Sequence, residues 1–188
     1  MSGKTRKMTL SALFIALTVI SLYIASVWPT GQLGLAAAAS LFVAAAVIEV
    51  GLGSGLSVFI VSSALGMLIL PNRAAPLLFI IFFGYYPIVK SLIEHVKCNK
   101  LQWLVQWLLK QIVFNLALIF MWFFMRELAV AVIGGLPEIN IFRSGIAEIF
   151  ILAVVGNVAF VIFDIGFTKL IWVYINRVSK YMRKGNNK

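Results

Sequence analysis

The sequence predicts an all-α membrane protein, a bundle of six transmembrane helices with N- and C-termini cytoplasmic. Three observations predict it. The chain is 62% hydrophobic and only 12% charged, with a mean hydropathy of +1.03; a soluble domain runs at about 45–50% apolar and about 25% charged. Six apolar stretches reach the length that crosses a bilayer, about 20 residues. Basic residues are divided unequally between the polar connections, as a fixed membrane orientation requires.

The stretches come in order. Met8–Val27 is the first, closed by Trp28, Pro29, Thr30 and Gly31. Leu33–Val50 is the second and is rich in alanine. Leu52–Leu70 is the third, separated from the second only by the weak break at Gly51, Gly53 and Gly55. Ala74–Ile93 is the fourth, and Pro87 predicts a kink in it. A polar loop, Glu94–Lys100, leads to the fifth span, Leu101–Met125, whose first turns carry Gln102, Gln106 and Lys110. A longer polar connection holds Arg126, Glu127, Pro137, Glu138, Asn140 and Arg143; the apolar piece Leu128–Leu136 inside it is too short to span and reads as re-entrant or surface-lying. Ile146–Ile175 is the sixth span. Barrel strands of about 9–11 residues with alternating polarity do not fit these lengths. With no repeat, low-complexity tract or linker, residues 1–188 read as a single transmembrane domain. Met1–Lys7 is basic and precedes an apolar stretch, as in a signal peptide. That stretch outruns the usual apolar region of about 7–15 residues and lacks a well-placed small-x-small cleavage site, so it is expected to stay as a helix.

With six spans and the N-terminus inside, the cytoplasmic side holds Lys4, Arg6, Lys7, Lys90, Lys97, Lys100, Lys110, Lys169, Arg177, Lys180, Arg183, Lys184 and Lys188. Only Arg73, Arg126 and Arg143 fall outside. Five spans would put the two basic ends on opposite sides. The net charge of +10 therefore reads as topology and contact with the lipid bilayer and its anionic headgroups. It does not read as nucleic-acid binding, because no basic stripe with stacking aromatics accompanies it.

Catalytic signals are scarce, and the chain reads as a non-enzyme without cofactor or metal. One cysteine, Cys98, and one histidine, His95, share the loop after span four. They make neither a disulfide nor a closed zinc site. A Cys–His nucleophile pair is the sharper reading; two residues of a basic surface loop is the plainer and favoured one. The glycines at 51, 53 and 55 match no phosphate-binding pattern, so any ATP that drives a process here binds another subunit.

Polar residues at membrane depth say more, because they are costly in lipid and face a bundle interior or a cavity. They are Glu49, Asn115, Asn157 and Asp164, with Glu148 near the outer end. Asn157 and Asp164 are seven apart and share a helix face. Asn115 and Asn157 fall at similar depth and are expected within hydrogen-bonding reach, either as helix-joining amides or as part of a substrate site. Asp164 is expected to pair with Lys169 or Lys110. Glu49 is either a snorkelling carboxylate or a partner contact. Trp28, Gln32, Asn72, Arg73, Glu138, Asn140, Arg143 and Glu148 gather at the outer face in this topology. Arginine holds carboxylates and phosphates bidentately, and tryptophan supplies a flat apolar wall. Together they suggest the mouth of a small-molecule pocket; singly, each reads as interfacial anchoring or solvation.

Small residues mark faces where helix backbones approach. Ala12 and Ala16 form A-x-x-x-A near the inner end of span one; Ala36–Ala39 and Ala44–Ala46 line span two; Ser62, Ser63 and Gly66 lie on span three. The size, the six spans, the basic N-terminus running into span one and the run Ala12-Leu13-Phe14-Ile15-Ala16 resemble the substrate-binding S component of an energy-coupling factor (ECF) vitamin transporter. The resemblance covers the whole chain in architecture, and its one motif is the alanine pair. It implies that Ala12 and Ala16 dock onto a transmembrane coupling subunit carried with ATPase subunits. It also implies that the outer loops around Trp28–Gln32, Asn72–Arg73 and Glu138–Glu148 are lid and pocket for a small vitamin-like solute. The composition, basic and cysteine-poor and without an expected cleavable signal, suggests direct insertion into a bacterial plasma membrane. Asn115 and Asn157 complete the expected substrate-binding set. No signature of a particular substrate is present, and the run Phe83–Lys90 carries no assignable chemistry. A non-catalytic scaffold protein of the cell envelope is the alternative. A membrane-embedded enzyme would need His95, Cys98 and the buried acids to converge.

Overall fold

The structure, a computed structural model, describes residues 3–94, 102–124 and 145–179. The described residues form helices α1 (Gly3–Val27), α2 (Gln32–Glu49), α3 (Leu52–Ile69), α4 (Ala74–Leu78), α5 (Tyr86–Glu94), α6 (Gln102–Phe124) and α7 (Gly145–Tyr174). Among them are six candidate membrane spans, with α4 and α5 together making the fourth. The all-α, six-span architecture is thus present, within a few residues of the hydropathy boundaries. The expected segment 128–136 lies outside the described residues. By contacts the chain divides into two compact units, residues 1–96 with 167–188, and residues 97–166.

In the first unit, α1, α2 and α3 pack on one another, and α4 and α5 pack on α2. The core is built where small side chains meet large ones. Ala36, Ala39, Val43 and Ala46 of α2 and Val58 of α3 are wholly buried, as are Leu22 of α1 and Phe79 after α4. Between lipid-bathed helices the driving term is close packing, since lipid is as apolar as leucine. Hydroxyls inside the helices bond to their own backbone: Thr18 Oγ1 donates to the Phe14 carbonyl at 2.7 Å and Ser40 Oγ to that of Ala37 at 2.6 Å.

The weak break between spans two and three is a two-residue turn. Gly51 takes φ +115°, a conformation side chains rarely adopt. Its N–H and that of Val50 both bond to the Ala46 carbonyl, at 3.2 and 3.0 Å. Gly55 then lets α3 lie against Val47, whose side chain a Cβ at position 55 would strike.

Span four breaks upstream of the expected kink. Residues Phe79–Phe83 form a wide π-helical turn closed by Gly84 N–H donating to the Phe79 carbonyl at 2.6 Å. The chain bends at Gly84 and Tyr85 and restarts at Tyr86. Pro87 therefore occupies the first turn of α5, where its missing N–H deprives no helical carbonyl. A Cβ on Gly84 would sit 2.6 Å from the Phe59 ring and 2.8 Å from that of Phe79; close backbone approach to those aromatics is why the bend lies there.

In the second unit, α6 and α7 run antiparallel, as the pairings Lys110–Asp164 and Asn115–Asn157 require. Phe114 and Phe160 stack with centroids 4.3 Å apart. Gly156 admits the Leu118 side chain, which a Cβ there would meet at 3.3 Å.

Candidate functional site

The loops carrying Trp28, Gln32, Asn72 and Arg73 share one end of the first unit. Gly66 near the end of α3 meets Pro76 of α4 and Leu22 of α1. The α1–α2 and α3–α4 connections therefore emerge together. Each loop is held by its own bonds. Trp28 Nε1 donates to Thr30 Oγ1 at 2.8 Å, and the indole stays 62% exposed. Asn72 Oδ1 accepts from the Ala74 N–H at 2.9 Å, starting α4. Gln32 is partly buried and Arg73 is exposed. Asn140 and Arg143, with Glu138, lie outside the described residues. Glu148 falls on α7, with its side chain outside them.

The amides expected at mid-depth do meet. Asn115 Nδ2 donates to Asn157 Oδ1 at 3.0 Å, and Asn157 Nδ2 donates back to Asn115 Oδ1 at 3.2 Å. Gln111, not singled out in the sequence, joins them by donating from Nε2 to Asn157 Oδ1. Its own Oε1 is buried without a hydrogen-bond partner. One helical turn and more from this cluster, Lys110 Nζ lies 3.7 Å from Asp164 Oδ2, with both side chains mostly buried. Of the two partners expected for Asp164, the structure selects Lys110. The result is a polar seam along the α6–α7 interface, worth about 0.6–1.7 kcal/mol per interhelical bond, and it keeps one free acceptor in Gln111.

Sequence reasoning placed Lys90 among the cytoplasmic-side cations and gave it no partner; it is buried, at 3% exposure. Its Nζ lies 3.2 Å from Glu94 Oε1, donates to Thr168 Oγ1 at 2.8 Å, and stands 5.8 Å from the Tyr86 ring centroid. Tyr86 itself packs edge-on against Phe167. The run Phe83–Lys90 thus has a structural content: a bend, a buried tyrosine and a buried ammonium tied to α7. The available signal was the Lys90/Glu94 spacing of four on one helix face.

The opposite half of the first unit carries an apolar groove of about 540 Å³ between α1, α2 and the end of α7. Leu13, Leu17, Phe42, Ala45 and Leu170 are among its walls, and Tyr174 closes it. Ala12 and Ala16 lie on a different face of α1 and are exposed, whereas Phe14, Thr18 and Leu22 turn into the core. Among the described residues no cluster of His, Cys, Asp and Glu forms a metal site. Comparison with protein-family models, curated proteins and solved structures finds no match.

Proposed function

We propose that the chain is the substrate-binding membrane subunit of an ECF-type transporter, capturing a small vitamin-like solute at the outer face for uptake powered by partner ATPases. In this reading both termini are cytoplasmic and the membrane is a bacterial plasma membrane. The observation that carries it is the bare Ala12–Ala16 face of α1, exposed in the isolated chain. Two small side chains four apart leave a strip where a partner backbone approaches closely. Exposed Leu13 and Ile20 border the strip, giving a partner helix apolar surface to bury. At the far end, the Trp28 indole and Arg73 guanidinium supply an apolar wall and a bidentate donor for the solute. The test is co-purification. The wild-type chain brings down a transmembrane coupling subunit and ATPases; Ala12→Leu with Ala16→Leu folds normally and loses them. A double mutant that retains a coupling subunit at wild-type level refutes the docking face.

One observation favours a second reading, a non-catalytic scaffold. Asn115 and Asn157 spend their hydrogen bonds on each other and on Gln111, as helix-joining amides do. A scaffold co-purifies with neither ATPases nor a bound small molecule.

A further inference from the structure

The groove between α1, α2 and the end of α7 is apolar along its length and polar at its rim. Arg6 precedes Leu10, Leu13 and Leu17 by four, seven and eleven positions, and Lys7 precedes Leu10 and Phe14 by three and seven. Both cations therefore stand one turn beyond the groove on its own face. Arg177 follows Tyr174 by three positions, in the π-helical turn Ile175–Ser179 that continues α7. No ion pair engages Arg6, Lys7 or Arg177 among the described residues. On α2, Glu49 follows Phe42 and Ala45 by seven and four. Its Oε1 is buried without a hydrogen-bond partner, and so is the Tyr174 hydroxyl oxygen. Around this apolar trough stand three cations without an ion pair, with a carboxylate oxygen and a phenol oxygen that lack a hydrogen bond, among the described residues.

Size selects the occupant. Along α1 the groove runs from Leu10 to Ser21, roughly 16 Å at 1.5 Å per residue. That is about half of the ~30 Å hydrocarbon core, the depth of one leaflet. The groove therefore has the length of one leaflet's acyl chain. We propose that the groove seats an acyl chain of one acidic phospholipid, from the leaflet that meets the N-terminal end of α1. Arg6, Lys7 and Arg177 surround its phosphate, to which the Tyr174 hydroxyl donates. A headgroup hydroxyl, as in phosphatidylglycerol, donates to Glu49. Three cations against one carboxylate give the rim the sign that acidic headgroups prefer. The acyl chain restores the dispersion contacts that an empty trough lacks. Ala12 and Ala16 lie on another face of α1, and Leu13 is the residue that the groove and the alanine strip share.

The test uses the full chain, delipidated in detergent and titrated with phosphatidylglycerol or phosphatidylcholine, with adducts counted by native mass spectrometry. One phosphatidylglycerol is retained in preference to phosphatidylcholine. Arg6→Gln with Arg177→Gln weakens that adduct roughly thirtyfold. Ala45→Phe, which fills the trough, abolishes it, and Lys4→Gln, off the groove face, leaves it unchanged. The double variant alters side chains outside the core and decides the question whether or not Ala45→Phe folds. Equal retention of both lipids overturns the proposal, as does a loss with Lys4→Gln equal to that of the double variant. Displacement of the lipid by millimolar inorganic phosphate also overturns it, because the acyl chain would then contribute nothing.

Discussion

Asn157 is a heavily engaged polar side chain among the described residues of the second unit. It accepts from Gln111 and Asn115 and donates to Asn115 and to the Ala153 carbonyl at 2.6 Å. Asn157→Ala strands the amides of both partners in a low-dielectric interface, so a loss of about 1–2 kcal/mol is expected, measured as a shift of the unfolding midpoint in mixed micelles. Asn157→Asp should be worse than Ala, because it adds a charge beside the Asp164 face of α7; a milder effect would show that water reaches the seam. This pairing was legible from residue counting, since two asparagines at equal depth on neighbouring spans have few other partners in lipid. Gln111 was not legible: it lies among other glutamines of the early α6 turns, and only the rotation of α6 against α7 brings it to Asn157. At the Trp28 end of the first unit, Arg73→Ala tests the solute reading once a ligand is in hand. A charge-assisted bond of about 1.5–3 kcal/mol predicts roughly tenfold to hundredfold weaker binding by calorimetry. Unchanged affinity leaves Arg73 a headgroup or water contact.

At the scale of the element, the fourth span is the instructive one. Gly84 admits the rings of Phe59 and Phe79 at distances no Cβ tolerates. Gly84→Ala should cost about 1–3 kcal/mol by overpacking, while Pro87→Ala, in the first turn of α5, should cost less. The same micelle unfolding measurement compares them, and a larger loss at Pro87 would return the kink to the proline. Hydropathy placed this span and the others because a bilayer demands about 20 apolar residues whatever their packing. It did not place the bend, because Gly84's role depends on an aromatic from α3, distant in sequence. The groove was illegible for the same reason, being the space left by Ala38 and Ala45 on one helix and leucines on another. The tight turn at Gly51 was half legible: three glycines marked the break, and only the φ of +115° shows which of them makes it.

For the molecule as a whole, orientation is the property the basic residues decide. The proposed topology is checked with single cysteines at Ser2 and Asn187 in a Cys98-free background; both should resist impermeant thiol reagents in intact cells. Labelling of either from outside would turn the bundle over or change its span count. Lys90 and Lys110 count less toward that orientation than the loop and terminal cations, because each is drawn into a buried pair. Lys90 also bears on how the chain is made. During synthesis span four enters the bilayer with an ammonium that meets Glu94 and the Tyr86 ring on its own helix. Thr168 lies 78 residues later, on the sixth span. Until that span arrives the nascent protein carries this cation without its Thr168 bond, and cations in a span raise the cost of insertion. Arrival of the sixth span and the Thr168 bond to this lysine are therefore coupled, and a product truncated before Thr168 lacks that bond.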